Sequence, residues 1–120
     1  MTEIQALLAE TPFLVSTSLY YEERPPVAGL VKGSLLFAEG SHLDFKEFII
    51  THPTLQIIKY AYHYRKENLL IFRYDNANDP VAKNLSTYPS HKHVSEGIFP
   101  AAKPTLRQVL QEIASQMKVV

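Results

Sequence analysis

Val27-Ala28-Gly29-Leu30-Val31-Lys32-Gly33-Ser34-Leu35-Leu36-Phe37-Ala38-Glu39-Gly40-Ser41-His42-Leu43-Asp44-Phe45-Lys46-Glu47-Phe48-Ile49-Ile50 decides the fold. Two runs rich in branched and aromatic residues flank Glu39-Gly40. The pattern predicts a hairpin with strands over 27–38 and 41–50, Gly40 supplying the positive φ. A two-residue loop would set Phe37 against His42, Leu36 against Leu43 and Lys32 against Glu47. Leu30, Leu36, Leu43, Phe45 and Ile49 would then share the face of that charged pair. The plain reading is an ion pair near the sheet rim. The sharper one is a carboxylate held inside a concave sheet.

Outward from the hairpin the pattern stays β-rich. Phe13 to Glu22 reads as a strand, and Glu23-Arg24-Pro25-Pro26 as a break. His52-Pro53 interrupts the chain after the hairpin. Leu55 to Arg65 and Leu69 to Tyr74 read as two more strands, and His91 to Val94 as a short sixth. Thr2 and Gln5 have capping-box spacing before Ile4, Leu7 and Leu8, as do Thr105 and Gln108. Leu106, Val109, Leu110, Ile113, Ala114 and Met117 then follow on one helical face. No strand–helix–strand alternation occurs. The expected fold is α+β: a single antiparallel sheet of five or six strands in a meander, with N- and C-terminal helices packed on one face. One domain over 1–120 is expected from the length.

Composition narrows the class. Hydrophobic residues make up 46% and charged residues 20%, as in a globular chain. Twelve basic against 12 acidic residues argue against a dedicated nucleic-acid coat protein, yet permit a local basic patch. There is no cysteine, so thiolate zinc sites, disulfides and Cys nucleophiles are excluded. No leader-like segment and no run near the ~20 apolar residues of a membrane helix appears. A cytoplasmic protein without membrane contact is the expectation.

The polar chemistry is concentrated late in the chain. Phe72-Arg73-Tyr74-Asp75-Asn76-Ala77 leads into an aperiodic stretch over 76–90, a length that marks functional loops. His91-Lys92-His93 follows. Arg73 alternates with Leu69 and Ile71, so it points to a half-buried face and needs an anion, either Asp75, Glu47 or a substrate phosphate. His91 and His93 would project to one side as acid and base, or chelate a metal with Asp75 as third ligand. Lys59-Tyr60-Ala61-Tyr62-His63-Tyr64-Arg65 interleaves cations and rings, which in a strand fall on opposite faces. Whether the tyrosines or Lys59 and His63 share the face of Arg73 depends on the parity of the loop near Lys66.

Lys59-Tyr60-x-Tyr62-His63-Tyr64, Phe72 to Ala77 and His91 to Val94 together resemble the TumE-like family. The resemblance runs from Gly29 to the C-terminal helix, with Asn78, Asp79 and Ser90 standing where relatives carry histidine. It implies the toxin of a prokaryotic toxin–antitoxin pair, with a helix-turn-helix antitoxin encoded nearby. The expected chemistry is RNA cleavage with no metal and no other cofactor. His91 and His93 would move protons, Arg73 would stabilise phosphorane charge, and Asp75 would orient them. Lys92, His63, Tyr62, Tyr74, Asn76 and Glu47 are the expected substrate contacts. RNA and a second copy of the chain are the further partners considered. The alternatives are a non-catalytic protein that binds a protein or nucleic-acid partner through the same face, and a structural or sensory module.

Overall fold

A computed structural model of the protein describes residues 2–117. Helix α1 (Thr2–Ala9) leads into β1 (Leu14–Arg24), β2 (Ala28–Phe37), β3 (Ser41–Ile50), β4 (Gln56–Lys66), β5 (Leu69–Asp75), β6 (His91–Val94) and β7 (Gly97–Pro100), and α2 (Leu106–Gln116) follows. All described strands join one antiparallel sheet in the order β1-β2-β3-β4-β5-β6-β7. The meander is as expected, but it has seven strands rather than five or six. The added strand is β7, whose four residues end in Pro100. It is too short to show a period, and proline is tolerated there because β7 is an edge. Glu23 and Arg24 belong to β1 rather than to a break, paired with Gly29 and Ala28.

The hairpin register also differs. Leu36 faces His42, Leu35 faces Leu43, Lys32 faces Lys46 and Val31 faces Glu47. The loop has three residues rather than two. Gly40 closes it at φ 94, and its N–H donates to the Phe37 carbonyl. One extra loop residue moves β2 by one position and turns it over. Val31, Leu35 and Phe37 therefore enter the core beside Leu43, Phe45 and Ile49, while Leu30 and Leu36 are only half-buried. No Lys32–Glu47 pair exists.

One face of the sheet is the core. Leu8 of α1 and Leu106, Val109, Leu110 and Ile113 of α2 pack with Val31, Leu35, Phe37, Tyr60, Tyr62, Tyr64 and Phe72. Arg107 of α2 also reaches Glu10 beyond α1 at 3.1 Å. Thr105 caps α2 by the expected box: its Oγ1 accepts from Gln108 N–H at 3.1 Å, and Gln108 Oε1 accepts from Thr105 N–H at 2.9 Å. At the other end of the chain Thr2 is the first residue inside α1 rather than the cap before it, unlike the expected Thr2–Gln5 box. No helix among the described residues is long and apolar enough to cross a membrane.

Candidate functional site

The site exists because of one bulge. The β4–β5 turn is Glu67-Asn68, with Lys66 facing Leu69 and Arg65 facing Leu70. A regular ladder from there would bring Arg73 opposite Tyr62, on the core face. Ile71 is instead an extra residue, so Tyr64 faces Phe72 and His63 faces Arg73. The bulge turns Arg73 and Asp75 out to the open face of the sheet, a use bulges commonly have beside sites. β6 continues the row: Arg73 faces His93 and Asp75 faces His91. Three neighbouring strands thus carry His63, Arg73 and His93 side by side.

Asp75 is the hub. Its side chain is 5% exposed and accepts from Arg73 Nε at 2.7 Å. Its Oδ1 accepts from the Ala77 N–H at 3.0 Å and lies 2.9 Å from His91 Nε2. His93 Nε2 is 3.5 Å from Asp75 Oδ2 and 3.0 Å from His91 Nε2. His91 Nδ1 is 2.7 Å from the Pro89 carbonyl and must donate to it. Its Nε2 can then meet the carboxylate only through a second proton or a cation. Asp75, His91 and His93 offer one ligand atom each, all within 4.8 Å of one another, and are the described residues able to hold a metal.

Access separates the two imidazoles. The His91 side chain is fully buried, whereas that of His93 is 23% exposed. On the other flank, Arg73 Nη1 lies 3.2 Å from His63 Nδ1. Burial and the Arg73 charge hold His63 below the ordinary imidazole range, so it stays neutral near pH 7.

Five of the expected residues therefore meet on the open face: His63, Arg73, Asp75, His91 and His93. Four lie across the sheet under the helices. Lys92 binds Glu112 of α2 at 2.8 Å, and Tyr74 O–H donates to the same carboxylate at 2.6 Å. Tyr62 O–H donates to buried Glu47 at 2.5 Å, and burial with that carboxylate pushes its phenol up. Adjacent strand positions alternate sides, so Lys92 cannot share the face of its neighbours His91 and His93. Asn76 is a latch. Its side chain accepts from Tyr60 N–H at 3.1 Å and donates to the Ile58 carbonyl at 3.0 Å, fixing the end of β5 to β4.

A groove of about 600 Å³ opens beside this row. His63 and Arg73 line it, as do Tyr20, Lys32 and Lys46 from β1, β2 and β3. The sequence pattern points to Lys32 only as a partner for Glu47 and does not mark Tyr20 or Lys46, since the one-residue difference in the hairpin register is what sets Lys32 against Lys46. No curated protein and no solved structure matches the chain. The family described as Toxin TumE matches residues 4–117, which include all of α1 but its first two residues, the whole of α2, all seven described strands and every residue of the open-face cluster. The chain belongs to the Toxin TumE family.

Proposed function

We propose that this toxin cleaves RNA at the Arg73 face without a metal cofactor. Membership of a toxin family implies an antitoxin partner, and a helix-turn-helix protein encoded beside it is the form proposed here. One observation carries the catalytic reading: two imidazoles flank one guanidinium across adjacent strands, His63 and His93 each opposite Arg73. A phosphate bound by the Arg73 guanidinium would take its Nη1 donor and release His63 Nδ1. His63, neutral already, accepts the ribose 2′-OH proton. The 2′ oxygen bonds to phosphorus while the bond to the 5′ oxygen breaks. His93, on the opposite flank, gives its proton to that leaving oxygen. The product is a 2′,3′-cyclic phosphate and a free 5′-OH. Asp75 holds Arg73, and buried His91 positions His93 without touching substrate. This gives His91 a supporting role and leaves Lys92 outside the chemistry.

The test is toxicity on expression and cleavage of RNA by folded variants. His63→Ala, His93→Ala and Arg73→Ala should each lose on the order of 10²–10⁴ in rate. Wild-type cleavage by all three would sink this site. Growth arrest with no RNA turnover would favour the non-catalytic alternative. A second reading rests on the convergence of Asp75, His91 and His93: a divalent metal between them. Chelation separates it, since cleavage should persist in excess EDTA. Loss of cleavage, restored by a transition metal, would replace the imidazole mechanism.

A further inference from the structure

We infer that the groove from Arg73 to Tyr20 is a track for single-stranded RNA, seated on Lys32, Lys46 and the Tyr20 ring. The inference deepens the nuclease reading and rests on it for RNA as the ligand.

Lys32 and Lys46 are direct cross-strand partners. Like charges in that position are destabilising, and both side chains are exposed. The nearby carboxylates, Asp44 in the groove wall and Glu22 beside Tyr20, make their direct contacts to other groups. Asp44 accepts from Ser34 Oγ at 2.9 Å and lies 3.5 Å from Arg65 Nε. Glu22 is 2.6 Å from Arg24 Nε. Among the described residues no carboxylate comes within ion-pairing distance of either lysine. A neutral chain thus presents two cations without a direct ion-pair partner at the centre of its open face, one row along the strands from the His63–Arg73 row and lining the same groove. A polyanion crossing the strands would supply the missing charge.

Tyr20 extends the row, since it is the direct partner of Lys32 on β1. Its ring is 50% exposed, and its O–H donates to Glu22 at 3.0 Å. That bond restrains an exposed aromatic face, as base stacking requires. From Tyr20 on β1 to Arg73 on β5 the groove crosses four strand spacings, roughly 19 Å, stepping from the lysine row to the neighbouring His63–Arg73 row. A groove of about 600 Å³ has the size of small-ligand sites and is too small for a double helix. The opposite face of the sheet is covered by α1 and α2, so a strand of RNA has this face alone to cross.

The experiment is fluorescence anisotropy with a labelled 2′-O-methyl RNA 12-mer, which cannot be cleaved by 2′-OH attack, titrated over salt. Lys32→Gln/Lys46→Gln should weaken binding at least tenfold and reduce the salt slope by roughly 0.7 per lysine. Tyr20→Leu should weaken it about tenfold with the slope unchanged. An equimolar RNA duplex should compete poorly. Wild-type affinity in the double lysine variant and in Tyr20→Leu would overturn the track, as would a duplex binding equally well. If those substitutions spare RNA binding and instead block capture of the adjacent antitoxin, the face is a protein interface and the inference fails. Track-dependent binding by a wild-type protein that does not cleave unmodified RNA would sustain the track and overturn only the catalytic step.

Discussion

His63 owes its charge state to what surrounds it. Burial disfavours the imidazolium, and the neighbouring Arg73 charge adds to that. Its pKa is therefore lower folded than unfolded, and the unfolded chain binds more protons in the window just below 6.5. The contribution of this residue to stability is fully present above that window and is lost as pH falls through the folded value. Activity should follow the same sign. A base that must be neutral loses function on acidification, so cleavage should fall on the acid side with a midpoint below 6.5. A pH profile of kcat/KM measures this, and His63→Gln should abolish that limb along with most of the rate. An acid limb unchanged in residual His63→Gln activity would assign the titration to another group. The sequence placed His63 among the polar candidates but could not say which side it faced, because a single bulge residue decides that.

At the scale of elements, most of the ladder was readable and its offsets were not. Alternation located β1 to β6 to within a few residues, and the Thr105-x-x-Gln108 spacing marked the start of α2. Among the features that escaped are the third residue of the β2–β3 loop, Ile71 as a bulge, the end of β1 at Arg24, and β7. Each is a matter of one or two residues or an element of four, below the reach of periodicity, and the loop residue and the bulge each change which face a side chain takes. The box is a testable element. Thr105→Ala removes the acceptor for Gln108 N–H and should cost about 1 kcal/mol, read from the urea midpoint. No shift in that midpoint would mean α2 contributes little to the cooperative unit. Gly33 is a second test. A Cβ there would lie 2.2 Å from the Phe45 ring, whose residue is 97% buried by its 3% exposure. Gly33→Ala should destabilise by about 1–3 kcal/mol, because the ring must leave its packed position. A neutral result would show that Phe45 has room the structure does not display.

Over the whole molecule the sheet divides structure from chemistry. The helix face holds the buried apolar cluster and polar pairs that tie strands to each other and to α2. The open face holds the imidazoles, Arg73 and the unpaired lysines. In the sequence the two faces run together, because His91, Lys92 and His93 are adjacent and chemically alike as phosphate contacts. Lys92 tests the division directly. It is bonded to Glu112 at 2.8 Å, and its Nζ lies 4.9 Å from the Tyr74 ring centroid and 5.3 Å from that of Phe72. The ion pair is partly exposed, and the ring contacts add a similar amount. Lys92→Met should therefore cost about 1–2 kcal/mol of stability, measured by urea unfolding. Cleavage per folded molecule should stay within a few-fold of wild type when assayed well below the melting temperature, since nothing on the open face contacts this side chain. Arg73→Ala, across the sheet, should lose cleavage per folded molecule, and its urea midpoint should fall as well, because Asp75 is left buried without its guanidinium partner. If Lys92→Met abolished cleavage in a protein with native stability, the lysine would have to act through the sheet, and the assignment of chemistry to the open face alone would be untenable.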